Sequence, residues 1–117
     1  MNFGPFFIFL NMLKTMHWLT KSYAHHKILD EAHEEFSDKV DEFIESCIGV
    51  NDPKSFQNVA VTFEMPDSDE DIVLIFERAF DDLSTALAKY ANRPELESLI
   101  DDFNNLANKY IYLLKMH

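Results

Sequence analysis

The apolar positions of the chain fall into four runs of helical period. The first opens near Gly4-Pro5, where proline suits the first helical position, and passes through Leu10, Leu13 and Met16 to about Lys21. Ser22 is placed to cap a second helix. The apolar stripe of that helix is Leu29, Ala32, Phe36, Val40, Phe43 and Cys47, at alternating three- and four-residue steps, and Gly49 is its expected stop. A third run opens at Pro66-Asp67-Ser68, with acids suited to a first turn, and continues through Ile72, Ile75, Phe76, Ala79, Leu83, Ala86, Leu87 and Tyr90. Arg93-Pro94 forms a hinge to the fourth, which carries Leu96, Leu99, Ile100, Phe103, Leu106, Tyr110 and Leu113.

Val50 to Met65 reads as a connector, with Asn51-Asp52-Pro53 as turn chemistry. The alternation in Val59-Ala60-Val61-Thr62-Phe63 has no partner strand and reads as loop. The short turn between the last two helices makes them antiparallel neighbours. The sum is an all-α four-helix bundle, a single domain over residues 1–117.

Composition narrows the function. Two glycines and four prolines in 117 residues suit long helices with few turns, and 47% hydrophobic residues can build one core. A net charge of −11 argues against direct nucleic-acid binding, which needs a basic footprint, and favours cations. Cys47 is the single cysteine, so no intrachain disulfide forms, and it reads as a small core residue. Its solitude suits a reducing compartment, and a cytoplasmic location, bacterial or in a virus-infected host, is expected. The run Phe6 to Leu10 is too short to span a bilayer and lacks a basic flank and a small-residue cleavage site. It reads as helix core, and no membrane partner is expected.

The candidate chemistry lies in "HHKILDEAHEEFSDKVDEFIE", residues 25–45. With His26 at zero on a helical wheel, Asp30 falls near 40°, Asp41 near 60° and Glu45 near 100°, each about as the helical period dictates. These polar groups share one strip beside the apolar stripe. His26 and Glu45 are roughly 28 Å apart along a straight helix, and Asp30 and Asp41 roughly 16 Å. Metal–ligand bonds are only about 2 Å, so one copy cannot bring both ends to one ion. Two antiparallel copies can. The pairs 26/45 and 30/41 share a midpoint between Glu35 and Phe36, and a two-fold axis there would complete two identical sites in a homodimer. His17, near the end of the first helix, folds back beside His26 and Asp30. Imidazole with carboxylates and open positions suits iron, zinc or manganese.

The segments "MHW", "HHKILD" and "DKVDEFIE" resemble the Dps family, the mini-ferritins that protect bacterial DNA during starvation. The matching positions are His17-Trp18, His26 with Asp30, and Asp41 with Glu45. The likeness covers residues 10–48 and extends more weakly to "PELESLIDDFNNLANKYIYLL". It implies a ferritin-like bundle with metal ligands His17, His26, Asp30, Asp41 and Glu45 across a two-fold subunit interface. It further implies iron as the metal, oxidation of Fe(II) by peroxide or dioxygen, and iron detoxification or storage. Trp18 would be an electron scavenger beside the metal, and the assembly a homo-oligomer of up to twelve subunits. The family's basic DNA-binding tail has no counterpart before the first helix, and the chain is shorter than family members, so DNA binding is not carried over. "TKSYAHHKILD" is also similar to uncharacterised ferritin-like proteins of phages and large DNA viruses, which suits a viral origin. A larger-ferritin site within one chain would need Glu-x-x-His motifs, and none occurs; Asp30-x-x-His33 is the nearest.

Plainer readings stand beside these. His26, Asp30, Asp41 and Glu45 also read as a solvated acidic face. His17 also reads as a buried, hydrogen-bonded histidine, and Trp18 as core. His25 is expected to be exposed, His33 to be structural or an accessory ligand, and Glu34 to join the strip or remain solvated. The phenylalanines of the first helix read as packing or as cover for a partner subunit. The alternative function is a non-enzymatic helical-bundle interaction protein, viral or cellular, without a working metal site.

Overall fold

A computed structural model describes residues 3–50 and 71–117, and these form four α-helices. They are α1 (Gly4–Leu19), α2 (Tyr23–Val50), α3 (Ile72–Ala88) and α4 (Pro94–Lys115). The all-α, four-helix reading of the sequence holds among the described residues. Each helix packs against two others, in the cyclic order α1, α2, α4, α3.

The ring contacts give the directions. Phe43 of α2 packs on Phe6 near the start of α1, and Phe36 on Phe9, so α1 and α2 run antiparallel. His25 meets Leu114 and Lys39 meets Asp102, so α2 and α4 are also antiparallel. Lys115 pairs with Glu77 at 3.7 Å, which sets the end of α4 beside the start of α3. Thus α1 and α4 point one way, α2 and α3 the other. The end of α2 and the start of α3 lie at opposite ends of the bundle.

Phe36 is the centre of the core. Its ring centroid lies 4.8 Å from Phe9 of α1 and 6.3 Å from each of Phe76, Phe80, Phe103 and Tyr110, on α3 and α4. Several of these pairs are edge-on or tilted, the arrangement the ring quadrupole favours. The whole predicted stripe of α2, Leu29 through Cys47, is buried. In α4 the innermost residue of the last turn is Leu114, with Leu113 only packed at the edge. Burial raises the pKa of the Cys47 thiol, which keeps it a neutral apolar filler. The Tyr110 hydroxyl is buried without a hydrogen-bond partner; burial and the nearby Glu35 carboxylate hold it firmly protonated.

The helix ends differ from the sequence expectation in two places. α1 stops at Leu19 rather than near Lys21, because Thr20 turns extended (φ −65°, ψ 142°) while its N–H still bonds to Met16. Ser22 does cap α2: its hydroxyl accepts from the His25 N–H at 3.2 Å. Gly49 does not stop α2, which continues to Val50, and no described glycine has positive φ, so the left-handed cap is absent there. α3 starts at Ile72, capped by Asp71, whose carboxylate accepts from the Val73 N–H at 2.9 Å. The expected opening at Pro66-Asp67-Ser68 and the loop reading of 59–63 lie outside the described residues. Arg93-Pro94 is the hinge the sequence indicated, with Pro94 in the first turn of α4.

Removing Phe36 strips packing from all three neighbouring helices at once. Phe36→Ala is expected to lower unfolding stability by about 3–5 kcal/mol, measured by urea denaturation with helical circular dichroism as the signal.

Candidate metal centre

Lys14 and His17 are three residues apart on α1, and His26 and Asp30 four apart on α2, so each pair shares one face of its helix. The tight turn at Thr20–Ser22 sets these faces against each other. Antiparallel packing then matches His17 with His26, and Lys14 with Asp30.

The two imidazoles stack, with centroids 3.8 Å apart and planes inclined at 19°. The Nδ1 of His17 bonds to the backbone carbonyl of His26 at 2.7 Å, and the Nδ1 of His26 bonds to the carbonyl of His17 at 2.8 Å. A carbonyl oxygen only accepts, so each Nδ1 must carry the proton. In the neutral ring, each Nε2 then keeps its lone pair. The carbonyl of His17 is one of the unpaired groups in the last turn of α1, so the His26 ring also closes that helix end. A histidine that ligates a metal through one nitrogen normally donates the other N–H to a carbonyl or carboxylate. Each Nε2 of the pair is thus the nitrogen that could hold a cation.

Asp30 completes the group. Lys14 Nζ donates to its carboxylate at 3.0 Å. That hydrogen bond and the Lys14 charge hold the Asp30 carboxyl below its usual pKa, and the charges of His17 and His26 push the same way. The pair is exposed and adds little to stability, but it keeps an anion beside two imidazoles. His33, one turn beyond Asp30, is half-buried; burial, then the Lys14 charge, lowers its pKa and favours the neutral ring.

Asp41 and Glu45 are exposed, further along α2 toward the other end of the bundle. The structure therefore brings His17, His26 and Asp30 together and leaves Asp41 and Glu45 apart from them. Among the described residues, no group of three or more His, Cys, Asp or Glu side chains in one chain is arranged to hold a metal ion. Glu34 is exposed.

Two sequence readings need correction. Trp18 is not core: it is 67% exposed, because α1 turns away at Thr20 before another helix can cover it. His25 is not exposed: its Nε2 donates to the Leu114 carbonyl at 3.0 Å, in the last turn of α4. The sequence reading also missed Lys14. Its three-residue spacing from His17, matched against the four-residue spacing of His26 and Asp30, was the available signal.

A family model described as "Family of unknown function (DUF5856)" matches residues 17–114. The chain is 28% identical over 100 residues to the "Uncharacterized 14.6 kDa protein in mobD-ri intergenic region" of Enterobacteria phage T4. That alignment covers 86% of this chain and 74% of the phage protein. No solved structure matches. No helix among the described residues is long and apolar enough to cross a membrane.

The Lys14–Asp30 pair has a definite pH signature. The folded-state pKa of Asp30 is depressed, so its contribution to stability is present above the unfolded carboxyl range and is lost as pH falls through the folded pKa. In Lys14→Met the Asp30 pKa is expected to rise toward its ordinary value, read from the carboxyl carbon shift in an NMR titration from pH 7 down to about 2.

Proposed function

Because the chain belongs to the DUF5856 family, a family of unknown function, its activity has to be read from its own residues, and we propose that it is a ferritin-like iron protein oxidising Fe(II) at sites shared between two subunits. The observation that carries this reading is the reciprocal bonding of His17 and His26. Each ring spends its Nδ1 proton on a backbone carbonyl and retains Nε2 for an incoming cation. Asp30 adds a carboxylate held ionised beside them.

The helix directions support the ferritin-like assignment. α1 and α4 run one way and α2 and α3 the other, the arrangement of a bundle with one long crossover. In an antiparallel two-fold pair, Asp41 and Glu45 of a second copy would stand opposite Asp30 and His26. Asp30, Asp41 and Glu45 are exposed, while the opposite side of α2 is committed to the core through Phe36.

Iron is the substrate in this scheme. Imidazole and carboxylate receive Fe(II); the added carboxylates favour Fe(III) once it forms. Two ferrous ions supply the two electrons that reduce one hydrogen peroxide to water, and the required protons come from solvent. No protein nucleophile takes part. Consuming ferrous iron and peroxide together suppresses hydroxyl-radical formation. Trp18, exposed beside His17, would give up an electron to stray oxidant. Zinc or manganese would suit the same donors.

A second reading, a helical bundle without metal chemistry, draws on Lys14, which already neutralises Asp30 from within the chain. It is favoured if Fe, Zn and Mn all leave the melting temperature unchanged, since a ligand held only by the folded state must raise it.

The sharing of sites between subunits gives a distinctive test. Asp30→Ala and Asp41→Ala are each expected to abolish aerobic or peroxide-driven Fe(II) oxidation, followed by absorbance. Co-expressed in equal amounts, half of the pairs are mixed and each mixed pair retains one intact site, so about a quarter of the wild-type rate should return. Equal rates in wild type and both single variants would remove the enzymatic claim.

A further inference from the structure

The Lys14 ammonium stands where an incoming cation would be held. Its Nζ donates to an Asp30 carboxylate oxygen at 3.0 Å. Lys14 lies one turn before His17 on α1, and Asp30 one turn beyond His26 on α2, so the ammonium shares a face with the stacked rings. Other lysines brace the bundle elsewhere. Lys39 pairs with Asp102 and Lys109 with Glu35, between α2 and α4, and Lys115 pairs with Glu77, between α4 and α3. None of these pairs includes a proposed ligand.

A brace between α1 and α2 is the plainer role for Lys14. That junction is already fixed, however, by two ring-to-carbonyl bonds of 2.7 and 2.8 Å and by the ring stack. The Lys14 and Asp30 side chains are 33% and 58% exposed, and an ion pair so open to water favours the paired state by a factor of only about two to five. Lysine is also a flexible point charge, without the fork that locks an arginine onto both oxygens. The contact is therefore weak and reversible, and it falls on the carboxylate set beside the two imidazoles.

We propose that Lys14 is a resident competitor at the cation site: its ammonium occupies Asp30 while the site is empty and has to leave when a divalent ion is held there. This regulation rests on the metal reading given above and adds to it an exchange within the chain. The apparent affinity for a cation is lowered in proportion to the fraction of molecules in which Asp30 is free of Lys14. A divalent ion attracts the carboxylate with twice the charge of the ammonium and displaces it. A monovalent ion has no such advantage.

The test is Zn(II) binding to the full chain by titration calorimetry, a readout independent of iron oxidation. Wild type is compared with Lys14→Met and with Lys27→Met, which removes the same charge one residue from His26 and leaves the Lys14–Asp30 bond in place. All three positions of comparison keep the ring-to-carbonyl bonds, so the melting curves without metal should stay near wild type. Lys14→Met is expected to bind about two- to five-fold more tightly than wild type, and Lys27→Met to gain less than that. In the wild type, the ε-methylene NMR signals of Lys14 should move to those of a solvated lysine as Zn(II) saturates. Equal affinity in wild type and Lys14→Met, an equal gain in both variants, or Lys14 signals unmoved at saturation each overturn the competition while leaving the metal reading standing. No binding to any of the three proteins removes the metal reading and the competition together.

Discussion

The burial of Phe36 constrains everything else in this molecule. Its ring touches aromatic rings from each of the other three helices, so α2 cannot rotate about its axis without breaking the core on every side. Interiors are close-packed and tolerate little displacement, which makes that orientation a fixed quantity. With the stripe from Leu29 to Cys47 turned inward, Asp30, Asp41 and Glu45 are obliged to face out. The acidic strip is exposed because the apolar stripe is buried, and no special interaction is needed to place it.

That dependence explains how much could be read from the sequence. The period of apolar residues in α2 was strong enough to place its core face and, by difference, its polar strip. The same period located α3 and α4 and the hinge at Arg93-Pro94. The helix ends were harder, because they turn on single hydrogen bonds. Thr20 ends α1 through its own backbone angle, and Asp71 caps α3 through one carboxylate contact; neither leaves a periodic trace. Gly49 had the right identity for a stop but remained helical, since a glycine permits the left-handed turn without requiring it.

The candidate site shows the same division. Helical spacing alone brought His26 and Asp30 onto one face, and the short turn brought His17 beside them. What spacing could not give was the partner of each ring. The bonds that fix the Nδ1 protons run to backbone carbonyls, which every residue possesses and no sequence pattern distinguishes. Those bonds decide which nitrogen remains basic. The chemical identity of the site is thus a matter of tautomer, set by two carbonyls at a helix junction. Trp18 illustrates the converse error: a large aromatic was read as core, yet the chain turns before any helix can cover it.

The Lys14–Asp30 contact links the electrostatics of the site to the assembly. A carboxylate beside two imidazoles could be left for an incoming cation, or neutralised within the chain; here it is partly neutralised, by a flexible ammonium that a stronger cation could displace. Further along α2, Glu42 pairs with Lys39 at 3.3 Å, while Asp41 and Glu45 face out. In the pairing proposed above, Asp41 and Glu45 of one copy would stand opposite Asp30 and His26 of the other. Antiparallel pairing along α2 does this by symmetry, and every favourable contact it makes on one side is repeated on the other. That relation between two chains rests on the spacing of the ligand positions along α2.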